Sequence, residues 1–110
     1  MPASSSPYTE LNGKRAFVTG GAQGIGRAIA HALARSGVKV AIADIDGQAA
    51  QRTAKEIGEN AVAVEIDVRE RASVERAFGE ALKLLGGCEI CIANAGVSTM
   101  QRALDRKSVV

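Results

Sequence analysis

The sequence predicts an α/β fold: an open, doubly wound parallel sheet with helices on its faces, truncated after the fourth strand. Three observations carry this. Four short apolar runs alternate with three helical patterns along the chain. The second run, Val38 to Asp44, is apolar at Val38, Val40, Ala41, Ile42 and Ala43 with only Lys39 interrupting, as expected of a parallel strand covered on both faces. The runs recur at spacings near the roughly 30 residues of a βαβ unit. Right-handed crossovers then bring the C-terminal ends of all four strands to one edge of the sheet.

Each element has its own local reason. Met1 to Glu10 holds both prolines, three consecutive serines and the only tyrosine, Tyr8, and reads as a flexible lead-in. A turn at Leu11-Asn12-Gly13-Lys14 leads into a strand at Arg15–Thr19. After a glycine-rich turn, Ile25, Ala28, Ile29, Ala32 and Leu33 repeat at helical spacing and predict a helix with that face buried, ending near Ser36-Gly37. Asp46 is placed to cap a second helix from Gly47 to about Ile57, with Ala50, Thr53, Ala54 and Ile57 inward and Gly58 as its stop. The third strand, Ala61 to Ile66, ends on Asp67. A third helix spans about Arg71 to Leu85, with Val74, Ala77, Phe78, Ala81, Leu82 and Leu85 inward. Gly86-Gly87 breaks it. Cys88 to Ala93 is the fourth strand, followed by Asn94-Ala95-Gly96, and its apolar edge makes the 110-residue chain aggregation-prone by expectation.

The totals exclude several classes. With 46% apolar residues the 110-residue chain is globular. Lys plus Arg number 14 against 12 for Asp plus Glu, interspersed and without aromatic interleaving, so nucleic acid is not an expected partner. No apolar run approaches the roughly 18 residues that span a bilayer, and no basic region precedes an apolar core at the N-terminus. No membrane partner is expected, and the expected compartment is the cytoplasm. Cys88 and Cys91 spell Cys-x-x-Cys in a strand-like run with no second pair nearby, so they are expected to pack in the core on opposite faces, and no metal site is expected. His31 falls on the polar side of its helix and is expected to be solvated.

The chemistry gathers at the strand ends. Thr19-Gly20-Gly21-Ala22-Gln23-Gly24-Ile25-Gly26 lies between a strand and a helix, where free amides and the positive end of the helix dipole suit a phosphate. A P-loop would continue with Lys and Ser or Thr after its last glycine, and Arg27-Ala28 stand there instead, so an ATPase is excluded. Asp44 lies 20 positions after Gly24 at the end of the second strand, where a dinucleotide-binding fold uses an acid to hold the adenosine ribose hydroxyls. The same charge would repel a 2′-phosphate, and neither Gln23 nor Ile45 is basic. The expected cofactor is NAD in preference to NADP.

Thr19-Gly20-x-x-x-Gly24-x-Gly26, the strand-end Asp44, Asp67-Val68 and Asn94-Ala95-Gly96 together resemble the cofactor half of the short-chain dehydrogenase/reductase family, over Leu11 to about Leu104. The resemblance implies a Rossmann-type, partial NAD(P)-binding domain at residues 11–104. It implies that Gly20, Gln23, Gly24 and Ile25 line the pyrophosphate while Gly26 allows close helix packing. Asp44 and Ile45 would hold the ribose and flank adenine, Asp67 and Val68 would contact the adenine edge, and Asn94, Ala95 and Gly96 would pass under the cofactor. Ala93 departs from the pattern by replacing the first of two asparagines often seen there.

The family's catalytic tyrosine, the lysine four residues after it and the substrate-positioning serine have no counterpart here. Tyr8 is followed four residues later by Asn12, and Ser98 and Thr99 read as loop residues. The expected role is therefore the N-terminal part of an NAD-dependent enzyme transferring hydride between the nicotinamide and a small alcohol or ketone, the parent being a homo-oligomer. Alternatives are an NADPH-dependent 3-oxoacyl-thioester reductase of the same family and a non-catalytic nucleotide-binding module. A methyltransferase fits less well, because of the glycine spacing and Asn94-Ala95-Gly96. Asp105 to Val110 correspond in one reading frame to a sequencing-adapter DNA, and residues 105–110 are expected to be non-native.

Overall fold

The alternation of short apolar runs with helical stretches folds as a four-stranded, wholly parallel sheet. A computed structural model describes residues 9–94. After a 3-10 turn at Thr9–Leu11 come β1 (Arg15–Thr19), α1 (Gly24–Arg35), β2 (Lys39–Asp44), α2 (Gly47–Ile57), β3 (Ala61–Glu65), α3 (Arg71–Leu85) and β4 (Ile90–Ala93). The strand order is β3-β2-β1-β4. Phe17 sits opposite Ala41 on one side and Cys91 on the other, which fixes the register at the centre of the sheet. The lead-in at residues 1–8, Ala95, Gly96, Ser98, Thr99 and the 105–110 tail lie outside the described residues.

Because β1 and β2 are covered on both faces, their side chains divide between two cores. Ala16, Val18, Val40 and Ile42 pack with Ala30 of α1 and with Ala49, Ala50 and Ala54 of α2. On the opposite face Phe17, Ala41, Ala43 and Val64 pack with Val74, Ala77 and Ala81 of α3. Phe17 meets Phe78 edge to face, their ring centroids 5.2 Å apart. Asp46 caps α2 as expected, its Oδ1 accepting from the Ala49 amide at 3.0 Å, and Gly86 closes α3 through its amide to the Leu82 carbonyl at 2.8 Å.

Three expectations are corrected. The buried residues of α1 are Gly26 and Ala30, with Leu33 and Ala34 packed partly against the core. Ile25 is 73% exposed and Ala28 and Ala32 are also exposed. This helix carries apolar residues on two adjacent stripes, and the sheet takes the one with the smallest side chains because it permits the closest approach. Cys91 is exposed, because β4 is the outer strand of the described sheet; Cys88, half-buried, precedes the strand and packs on the Phe17 face. Cys91 is paired with Phe17, so the two cysteines are not divided between the faces. Both thiols are free. His31 is half-buried, its Nε2 lying 3.1 Å from Glu56 Oε1, which also accepts from Arg27 Nη2 at 2.7 Å. This cluster ties α1 to α2.

The entry to β4 is held by charge. The Glu89 carboxylate takes the Arg15 amide at 2.8 Å and pairs with its guanidinium, while Arg15 Nη1 donates to the Gly86 carbonyl at 2.8 Å. The Arg15 guanidinium, then its amide, depresses the Glu89 pKa from 4.5 to about 2. A depressed carboxylate stabilises the fold above its unfolded pKa, and that contribution is lost as pH falls from 4.5 towards 2. A Glu89→Gln chain will therefore show a shallower loss of stability across that window than the parent in acid titrations followed by circular dichroism.

Candidate cofactor site

The site is built where β1 gives way to the glycine loop. Gly20 takes φ +66°, and its amide donates to the Ala43 carbonyl at 2.7 Å, so the chain turns sharply off β1 while staying bonded to β2. Gly24 opens α1 at φ +58°, and a Cβ there would meet nothing within 4 Å. Gln23, at the N-cap position, makes no side-chain capping bond, and no acidic residue occupies the first turn. That turn keeps its donors and its positive dipole end for an anion. Gly26 has a different duty: a Cβ on it would lie 2.0 Å from the Gly20 carbonyl oxygen and 3.0 Å from Asn94 Nδ2. Only a hydrogen fits there.

Two polar residues brace the loop from below. Asn94 Nδ2 donates to the Gly20 carbonyl at 3.3 Å, and the Asn94 amide donates to the buried Thr19 hydroxyl at 3.0 Å, joining the ends of β1 and β4. Thr53, buried on α2, donates its hydroxyl to the Ala22 carbonyl at 3.1 Å. Replacing it by the isosteric valine leaves that carbonyl unsatisfied, so Thr53→Val will cost about 1 to 2 kcal/mol in urea denaturation.

Asp44 closes the loop from the side. Its Oδ2 accepts from the Ala22 amide at 3.1 Å and its Oδ1 from the Asp46 amide at 3.0 Å. A carboxylate offers about four acceptor positions, so two remain for a ligand. Beside it opens a cleft of about 240 Å³, bordered by Gly20, by Asp44 and Ile45, and by residues 66–69 after β3. The third strand ends at Glu65, two residues before the carboxylate expected to close it, and Asp67 follows in the turn that reaches this cleft.

Sequence reasoning did not single out Arg69, although it borders the same cleft. Its Nε donates to Asp67 Oδ1 and its Nη2 to Asp67 Oδ2, each at 2.9 Å, and its own amide donates to Oδ1 at 3.0 Å. The guanidinium, then the amide, holds the Asp67 carboxyl below its ordinary pKa. The signal was present as spacing, since an aspartate often accepts from the amide two residues on. The cation nearest the glycine loop in sequence, Arg27, is engaged with Glu56 instead.

Of the expected site residues, Gly20, Asp44, Ile45, Asp67 and Val68 border one cleft. Asn94 reaches Gly20 and Gly26, and Gln23, Gly24 and Ile25 lie at the start of α1 outside the cleft lining, while Ala95 and Gly96 lie outside the described residues. Among the described residues no group of three or more His, Cys, Asp or Glu side chains is placed to hold a metal ion. No described helix is long and apolar enough to cross a membrane.

Comparisons with known proteins agree with this geometry. A family model described as short chain dehydrogenase matches residues 14–109. A sorbitol dehydrogenase of Cereibacter sphaeroides is 48% identical over 87 residues, 79% of this chain and 34% of that protein. An L-2,3-butanediol dehydrogenase of Corynebacterium glutamicum is 41% identical over 97 residues, 84% of this chain and 38% of the relative. The crystal structure of a 3-ketoacyl-(acyl-carrier-protein) reductase from Brucella melitensis, complexed with NADH, superposes with a TM-score of 0.72 at 41% identity, covering 74% of this chain and 33% of its own. The chain therefore spans about a third of the length of the relatives it matches. The glycine loop, the parallel sheet ordered 3-2-1-4 and the family match over residues 14–109 lead to one assignment: this chain belongs to the short chain dehydrogenase family.

Proposed function

We propose that the chain is the N-terminal, NAD-binding part of a dehydrogenase that moves a hydride between the nicotinamide and the carbon of a small alcohol or ketone. The observation that carries this reading is Asp44: a carboxylate at the end of β2, fixed by the Ala22 and Asp46 amides, with acceptor positions left beside a cleft. Those positions suit the two hydroxyls of an adenosine ribose, and their charge disfavours a 2′-phosphate. The uncapped first turn of α1 suits the pyrophosphate, with Gly20, Gln23, Gly24 and Ile25 around it and Gly26 admitting the helix. Ile45, Asp67 and Val68 would flank and contact the adenine, and Asn94, Ala95 and Gly96 would support the cofactor from the β4 side. When bound, the nicotinamide supplies the hydride acceptor or donor. No metal takes part in this reading.

The names of the relatives favour a polyol or vicinal diol as substrate, since sorbitol, galactitol and 2,3-butanediol dehydrogenases are all similar to this chain. The tyrosine and lysine that would move the proton, and the serine that would position the substrate oxygen, are not supplied in family order by these 110 residues. In this reading the whole protein works in the cytoplasm as a homo-oligomer. A second reading, an NADPH-dependent 3-oxoacyl-thioester reductase, is favoured by similarity to the 3-oxoacyl-[acyl-carrier-protein] reductase of Aquifex aeolicus and by Arg69, a cation bordering the same cleft as Asp44. Arg69 is already paired with Asp67, which weakens that case. Turnover by the full-length protein tests the choice: NAD-dependent oxidation of polyols is the expected result, and NADPH-only reduction of 3-oxoacyl thioesters would replace it with the second reading.

A further inference from the structure

We propose that Arg69 is the positioning residue of the adenine subsite, fixing Asp67 so that its carboxylate presents a single acceptor and thereby distinguishes adenine from hypoxanthine. The inference rests on the dinucleotide reading above and extends it to a residue outside the glycine loop and the strand ends.

The acceptor count carries the argument. Each carboxylate oxygen accepts about two hydrogen bonds. Oδ1 of Asp67 already takes two, from the Arg69 amide at 3.0 Å and from its Nε at 2.9 Å. Oδ2 takes one, from Nη2 at 2.9 Å. One acceptor position remains, and it is on Oδ2. The main chain beneath is fixed as well, because the Asp67 amide donates to the Ser73 hydroxyl at 2.8 Å and Ser73 is buried. Asp67 and Arg69 both border the cleft that Asp44 flanks.

An ion pair whose Arg69 side chain is 77% exposed contributes little to stability. Its two-point fork does set the plane and rotation of the carboxylate. A carboxylate held this way accepts one N–H from an exocyclic amino group, as adenine offers. Hypoxanthine presents a carbonyl oxygen at that place, and two acceptors facing each other repel. Without the Arg69 side chain only the main-chain amide of residue 69 still holds Oδ1, so Oδ2 loses its fixed direction and hydrates, and adenine loses most of its advantage.

Calorimetric titration of the full-length protein with NAD and with nicotinamide hypoxanthine dinucleotide tests this. The wild type is expected to favour NAD by about tenfold or more, the factor corresponding to one well-placed hydrogen bond. Arg69→Ala should bring the ratio to within about threefold, mainly by weakening NAD, with the melting temperature unchanged. Arg69→Lys keeps the charge but loses the fork, and should behave like the alanine variant. A ratio unaltered by Arg69→Ala, or fully restored by lysine, overturns the role assigned to the fork. Equal binding of both dinucleotides by the wild type overturns the inference alone, while binding of neither removes the cofactor reading and the inference with it.

Discussion

Gly26→Ala will lose both nucleotide binding and about 3 kcal/mol or more of stability, measured as a drop in the urea midpoint at unchanged slope. The added methyl carbon would sit 2.0 Å from the Gly20 carbonyl oxygen and 2.8 Å from its carbon, both backbone atoms. No side-chain rotation relieves such a contact. Either α1 moves away from the sheet, opening space beside Ala30 and Val18, or the loop is pushed off β1 and breaks the bond between Asn94 Nδ2 and the Gly20 carbonyl. Both routes displace the first helical turn from the position an anion would use. Gly24→Ala makes the control: a Cβ there meets nothing, so its cost arises only from the backbone at φ +58°.

Asp44→Ala is the second large effect, and it acts on selectivity. Removing the carboxylate deletes the acceptors proposed for the ribose hydroxyls, and the dissociation constant for NAD should rise by about 100-fold, or about 2.7 kcal/mol. The Ala22 and Asp46 amides also lose their acceptor, which loosens the loop and weakens every dinucleotide. NADP gains from relief of repulsion what it loses from the loop. The ratio of NAD to NADP affinity therefore carries the information: a fall towards unity is expected, and a variant that keeps the parental ratio would show that Asp44 does not face the ribose.

Asp44 was legible in the sequence because it obeys two rules at once, the end of a continuous apolar strand and a fixed distance from the glycine loop. The sheet was legible for a similar reason, since runs such as Val40 to Ala43 have no other way to bury both faces. The inward side of α1 was not. Periodicity locates an apolar stripe, but Ile25, Ala28, Ile29 and Ala32 form one beside that of Gly26, Ala30 and Leu33, and only contact distance at the glycine decides between them. Pairings across the fold were also hidden. Glu56 is 25 positions from His31, and nothing in either helix announces that the two approach. The exposed Cys91 depends on which strand lies outermost, a property of the sheet and not of the run Ile90 to Ala93. Arg69 lay within reach, two residues beyond an aspartate already singled out, yet only the cleft beside Asp44 makes its turn a candidate for a role.

Above all, the C-terminal edge of this sheet is proposed as a dinucleotide seat. Backbone amide NMR of the isotopically labelled protein during titration with NAD reads that edge residue by residue. Saturable shifts are expected at Gly20 to Gly26, at Asp44 to Asp46 and at Asp67 to Arg69, reduced for NADP. Shifts confined to the groove between α2 and the free side of β3, or no saturable shifts at the glycine loop, would contradict it.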